Sequence, residues 1–286
     1  MQFERVSSGA TAHHNEDWVG SFHSGHGDDL VVIDGGTSVA DRDYIDPEHG
    51  DVVWFVTRFA CALGKAIDAG LDQQDATRAA VEATYRAFRE RSAGQEVPLY
   101  AWPIAALSWV RARPSAGGGA RLQLYCLGDC KVLLRTPNGE VRDLDPFVNP
   151  QEAVLRAEIA KLIAQGLHDG AARQARLLPI LRARREYQNT VAHTNSLCLN
   201  PNGSFGARTY EVDARAGSAV LGMTDGFYRL VDSYDLHTPG SLFALCEAHG
   251  LQAALDALRR HEAAQVEAAI AVKRADDASA ILWRVP

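Results

Sequence analysis

No apolar run in this 286-residue sequence approaches the roughly 20 residues that a membrane-spanning helix requires, so no membrane partner is expected. The opening residues, Met-Gln-Phe-Glu-Arg, hold no basic stretch leading into an apolar core of the kind that directs export. An excess of Lys and Arg is also missing. The chain carries 29 basic and 36 acidic residues, a net charge of −7, which argues against a nucleic-acid partner. Internal repeats, linkers and low-complexity tails are absent. The five cysteines, Cys61, Cys126, Cys130, Cys198 and Cys246, are odd in number and too scattered for a disulfide framework or a zinc ribbon. They suit a reducing compartment, and the expected location is the cytoplasm.

What the sequence does contain is a set of aspartates at the ends or starts of apolar, strand-like runs. They stand in Leu-Val-Val-Ile-Asp34-Gly-Gly, Leu-Tyr-Cys-Leu-Gly-Asp129-Cys, Ala-Val-Leu-Gly-Met-Thr-Asp225-Gly-Phe and Asp276-Asp277-Ala-Ser-Ala-Ile-Leu-Trp, with Asn15-Glu16-Asp17 near the start. Strand ends can deliver such carboxylates to one point. Carboxylates held within a few ångströms of one another cannot all stay ionised unless a positive charge neutralises them, because each raises the others' pKa. Oxygen-only donors suit Mg²⁺ or Mn²⁺ better than Zn²⁺, which favours Cys and His. Two such ions about 3.5–4 Å apart can hold a hydroxide and clamp a phosphoryl oxygen, the logic of metal-assisted phosphate-ester hydrolysis. A single Asp-Gly pair is above all a turn dipeptide. The weight lies in the ordered set.

In that order, Asn15-Glu16-Asp17, Asp34-Gly35-Gly36, Gly128-Asp129-Cys130, Thr224-Asp225-Gly226 and Asp276-Asp277-Ala278-Ser279 resemble the blocks of the metal-dependent type-2C serine/threonine protein phosphatases, the PPM family, in its bacterial form. The resemblance covers nearly the whole chain. It implies an α+β fold, a four-layer αββα sandwich of two antiparallel sheets flanked by helix pairs, with the metal cluster at one end. It also implies a single phosphatase-like catalytic domain over residues 1–286, with a helical insert or flap over 145–200. By the same resemblance Asp34 bridges two metals and the Gly35 carbonyl joins one of them. Asp225 and Asp276 complete the other shell, Glu16 and Asp17 act as acidic ligands or orient water, and Asp129 with Asp225 holds a third ion. The expected cofactors are two or three Mn²⁺ or Mg²⁺ ions. Of the adjacent pair, Asp276 is favoured over Asp277.

Two departures from the family pattern matter. The Arg that grips substrate phosphate in many members falls at Ala12 here, and the His that follows Asp-Gly in eukaryotic members is Gly36. His13 and His14 are the nearest replacements, since imidazole titrates near neutrality and can donate to a phosphoryl oxygen; Arg5 and Arg42 are weaker candidates. Both histidines can equally be solvated residues ahead of a strand. Cys130 stands where the family has Ser, and a buried, inert thiol is expected there.

Elsewhere, helical spacing of apolar residues predicts helices over 51–69 and 75–91, ended by Gly70 and Gly94. A hairpin is expected over 104–113 and 121–127, a strand over 131–135, and a turn at Pro137-Asn138-Gly139. The stretch 145–189 reads as two helices broken near 166–170. Its run Arg182-Ala-Arg-Arg-Glu could meet a phosphorylated partner, although such a run on a helix is commonly a solvated face. Residues 195–206 read as a loop. After a strand at 218–223 and a loop carrying Asp225, two helices over 241–272 supply the second outer layer, and a strand at 278–285 closes the sheet.

Three functions fit. The first is hydrolysis of phosphoserine and phosphothreonine in proteins by a metal-bridging hydroxide, with Asp34 and Asp225 central to catalysis. The second is the same chemistry on a small phosphorylated metabolite. The third is a regulatory module that binds without turnover, whose signature would be lost acidic positions; none of the principal ones is lost. A monomer acting on a phosphorylated protein or small molecule is expected.

Overall fold

Three buried apolar clusters separate four layers of secondary structure in the computed structural model. It describes residues 3–11, 13–190, 194–203, 205–264 and 275–286. One sheet has the order β1 (Phe3–Ser8), β11 (Ala278–Arg284), β10 (Ala219–Met223), β6 (Lys131–Arg135), β7 (Val141–Asp143). The other runs β2 (Asp17–Ser24), β3 (Gly27–Gly35), β4 (Ile104–Pro114), β5 (Ala120–Leu127), β9 (Arg208–Ala214), with the short β8 (Leu197–Cys198) pairing to the start of β4. Every pairing between these strands is antiparallel.

Strand alternation builds the layers. On β3, Leu30 and Val32 face the other sheet, while Val31 and Ile33 face the helices α1 (Asp51–Asp68) and α2 (Gln73–Arg91). On the opposite sheet, Leu221 of β10 and Leu282 of β11 pack on α5 (Asp225–Asp232), α6 (Pro239–His249) and α7 (Leu251–Ala264). Between β7 and β8 lie α3 (Pro150–Ala164) and α4 (Gly170–Thr190), within the stretch expected to be a helical insert. A single 3₁₀ turn at Leu99–Ala101 precedes β4. No described helix is long and apolar enough to cross a membrane.

The expected helices, hairpin and sandwich are observed, along with an unexpected strand, β9, and three further differences. Asp225 is not in a loop but is the first residue of α5. The last strand does not close a sheet: β11 runs between β1 and β10, so its apolar continuity reflects burial on both faces. The second outer layer is described to Ala264, and the rest of the span expected to reach Val272 lies outside the described residues.

Candidate active site

Strand pairing fixes the first two carboxylates. Asp17 opens β2, Asp34 nearly ends β3, and the register sets them opposite one another. Gly35 follows, with its N–H on the Glu16 carbonyl at 3.1 Å; a Cβ at Gly35 would stand 2.6 Å from that oxygen, so only glycine permits the approach. Asp129 occupies the turn from β5 to β6, Asp225 starts α5 directly after β10, and Asp276 leads into β11. Asp34, Asp129, Asp225 and Asp276 line one cleft of about 250 Å³. At its floor the Asp225 N–H points to Asp34 Oδ2 at 3.4 Å.

Asp17 sits behind this cleft. Its Oδ2 accepts from the Thr224 hydroxyl at 2.9 Å, while its Oδ1 is buried with no partner. Burial pushes the Asp17 carboxyl up to about 8, against hydrogen bonds that lower it and with the charges of Asp277 and Asp225 adding to the rise. Burial, then the charges of Asp225, Asp17 and Asp129, holds Asp34 well above the usual carboxylate range. Asp225 is pushed up to about 6 by burial and by Asp129 and Asp276. Crowded carboxylates with raised pKa values are what an excess of negative charge in a dry site produces.

The adjacent aspartates at 276 and 277 have different surroundings. Asp277 accepts the N–H groups of Ala10 at 2.7 Å and Glu16 at 2.6 Å, and so ties the segment before β2 to the segment before β11. Asp276 lines the cleft and pairs with Arg229 of α5 at 2.8 Å. A Cβ at Gly226 would lie 1.9 Å from the Asp277 carbonyl oxygen, so glycine lets α5 begin against this segment.

Of the remaining sequence candidates, Glu16 is buried and receives His14 Nε2 at 3.2 Å. His13 and His14 are exposed, and neither lines the cleft. Position 12, where the family's arginine would fall, lies outside the described residues. Arg42 stacks on Tyr44, 4.6 Å from its ring centre, away from the cleft lining. Cys130 is fully buried; burial and then the charge of Asp34 raise its thiol well above the usual range, so it stays protonated.

Arg184 and Arg185 of α4 line the same cleft as the aspartates; the sequence leaves their run open between meeting a phosphorylated partner and forming a solvated face. The inward stripe of α4 is Leu177, Leu181, Arg184 with Arg185, then Gln188 with Asn189, so it turns from apolar to polar on reaching the cleft. Arg185 is 8% exposed and donates to the Thr37 carbonyl at 3.1 Å. Burial lowers its pKa to about 10, which leaves it cationic at neutral pH. Spacing was the available signal: residues 177, 181, 184 and 188 follow one helical face.

Among the described residues, no three His, Cys, Asp and Glu side chains enclose a metal position as they lie. Two of the donors are engaged elsewhere, Asp276 by Arg229 and Asp129 by Asn149 at 2.8 Å. The donor chemistry nevertheless fits a hard divalent cation. All donors are oxygens, Asp17 Oδ1 is buried and unpartnered, and burial, with mutual repulsion added to it, raises three carboxyls together.

No family model matches the chain, and no curated protein does. Solved structures do match over almost its full length. The catalytic domain of the serine/threonine protein phosphatase PstP, in complex with two manganese ions, is 17% identical with a TM-score of 0.55, covering 99% of this chain and 97% of PstP's. The PPM Ser-Thr phosphatase MsPP from Mycobacterium smegmatis, in complex with cacodylate, is 15% identical at 0.53, covering 100% and 99%. The S. agalactiae serine/threonine phosphatase is 12% identical at 0.56, covering 99% of each. With its two antiparallel sheets between helical layers and its carboxylates gathered at strand ends, the chain has the fold of the PPM-type serine/threonine phosphatases.

Proposed function

We propose that this chain is a Mn²⁺- or Mg²⁺-dependent phosphatase that hydrolyses phosphoserine and phosphothreonine esters in proteins, as one phosphatase-like domain over residues 1–286 with an insert over 145–200. The observation that carries this reading is the convergence of Asp34, Asp129, Asp225 and Asp276, from four separate chain segments, on one cleft. The fold shared with PstP, which was crystallised with two manganese ions, supports it.

Asp34, the Gly35 carbonyl, Asp225 and Asp276 would hold two ions; Glu16 and Asp17 would support them, and Asp129 with Asp225 would take a third. Such ions, when bound, neutralise the carboxylates, acidify water and draw charge from phosphoryl oxygens. The chain's own groups prepare the site. Thr224 fixes the Asp17 carboxylate, and Arg229 offsets the charge that Asp276 places on Asp225. A role for His14 would run through Glu16, its partner. A polar cleft of about 250 Å³ is below the usual size of small-molecule sites, about 300–1,000 Å³, and suits a phosphorylated side chain.

The same chemistry on a small phosphorylated metabolite is the second reading. The observation that favours it is α4, latched beside the cleft by Arg182 on the Val39 carbonyl at 2.9 Å and Arg185 on that of Thr37. Phosphate release from a phosphothreonine peptide, compared with release from free phosphoserine and a sugar phosphate under Mn²⁺ and under chelator, separates the two. Preference for the peptide supports the protein substrate; preference for the free esters supports the metabolite.

A further inference from the structure

The sequence lacks an arginine at position 12 and a side chain at position 36, yet the cleft is not without cations. α4 brings Arg184 and Arg185 to its wall from the opposite part of the chain. The two guanidiniums flank the cleft differently. Burial acts on both; Asp129 is the charge that steadies Arg184, while Glu16 steadies Arg185 against its neighbour Arg184, and Arg185 is also bonded to the Thr37 carbonyl. Gly36 lies beside the second: a Cβ there would press on Ile104 Cγ1 at 3.0 Å and on the Ile104 carbonyl at 3.3 Å, and would only touch Arg185 Nη2, at 3.4 Å. Arg184 makes no hydrogen bond or ion pair among the described residues, so its donors are uncommitted.

We propose that Arg184 and Arg185 bind the phosphoryl group of the substrate, so that the insert, rather than the segment before β2, supplies the phosphate grip. This rests on the phosphatase reading above. Charge count supports it. Four carboxylates line the cleft, and two divalent cations would offset them, leaving two guanidiniums to face a phosphate monoester of charge about −2. Guanidinium forks match phosphate oxygens in pairs of parallel hydrogen bonds. Arg185, pinned at Thr37, has its position set before substrate arrives, which lowers the ordering cost of binding.

The rest of α4 holds this pair in place without touching phosphate. Arg182 bonds Val39 and lies over Tyr100, 4.4 Å from its ring centre, and Asn189 donates to the carbonyls of Leu99 and Trp102 at 3.2 and 3.1 Å. Arg182 therefore separates helix seating from phosphate binding.

The test is calorimetric titration of inorganic phosphate into the Mn²⁺-loaded full chain, for the wild type and for Arg184→Ala, Arg185→Lys and Arg182→Ala, with Mn²⁺ affinity measured on each. The expected result is phosphate binding by the wild type, weakened about tenfold or more in Arg184→Ala and Arg185→Lys, and by a clearly smaller factor in Arg182→Ala, which loosens the seating of α4 but leaves both guanidiniums present, with Mn²⁺ affinity held throughout. Among the described residues Arg184→Ala removes no hydrogen bond, so it keeps the test open even if a change at buried Arg185 unseats α4. Unchanged phosphate affinity in Arg184→Ala and Arg185→Lys overturns the proposal, as does an equal loss in Arg182→Ala or a wild type that binds no phosphate. The phosphatase reading fails separately, if the wild type binds phosphate and releases none from any ester.

Discussion

Asn149 donates to Asp129 Oδ2 at 2.8 Å while its own side-chain oxygen accepts the Gln151 N–H at 3.2 Å. One side chain thus caps α3 and ties the insert to a carboxylate of the cleft. Asn149→Ala removes both links. A cap loss of about 1 kcal/mol is expected, together with faster amide exchange over 150–164 and unchanged exchange in β3 and β10. Unchanged exchange over α3 would show that the insert is held by other contacts.

Metal-free protein loses stability as pH rises. The carboxyls of Asp17, at about 8, and Asp225, at about 6, and that of Asp34 bind protons more tightly folded than unfolded, where 3.8 is the ordinary value. Their contribution is complete below the unfolded value and is lost as pH climbs through the folded ones, by about 1.4 kcal/mol per pH unit for each extra proton held. Urea unfolding in chelator from pH 5 to pH 8 is expected to give a falling stability, and Asp225→Asn a shallower fall below pH 6. Saturating Mn²⁺ flattens the profile. A stability that rises over this window in chelator contradicts the raised carboxyls.

Asp276 and Asp277 separate function from framework. Asp277→Ala strands the N–H groups of Ala10 and Glu16 and is expected to cost roughly 1.5–3 kcal/mol of stability. Asp276→Asn is expected to lower metal-dependent turnover at least about tenfold with little change in melting temperature. Thermal melts and Mn²⁺-dependence curves on both variants check this; the reverse pattern assigns the ligand to Asp277.

Cysteine chemistry should be silent at the cleft. Cys61 is exposed and the other four cysteines are buried. A thiol reagent is expected to modify one residue quickly in the native protein and all five in denaturant, with Cys130→Ser retaining turnover within about threefold. Rapid labelling of Cys130 would show that its thiol is open to solvent.

The layers were legible because their signals are local. Helical spacing over 51–69 and 75–91 anticipates the helices at 51–68 and 73–91, and the Asp-Gly pair at 34–35 marks the end of β3. The edge strand β9 was missed although its burial alternates, because its inward residues Arg208 and Tyr210 are polar: both bond Asp145, Arg208 at 2.8 and 2.6 Å. Buried ion pairing looks like a surface strand in sequence. The carboxylate set was readable in order but not in detail, since only the folded chain turns Asp277 to backbone and Asp276 to the cleft. The run holding Arg184 and Arg185 was open between two readings, partner-facing and solvated, for a similar reason. A basic run on a helix has the same composition whether it faces water or a cleft, and only packing of Leu177 and Asn189 decides which.

The central claim is that Asp34 anchors a metal-dependent phosphoryl-transfer centre, and the most direct test is p-nitrophenyl phosphate hydrolysis by the wild type and Asp34→Asn, each with Mn²⁺ and with chelator. The account predicts turnover by the wild type with Mn²⁺ alone, and a loss of at least about a hundredfold in Asp34→Asn although its metal-free form melts no lower than the wild type. Equal turnover by Asp34→Asn, or wild-type turnover that survives chelation, would contradict it.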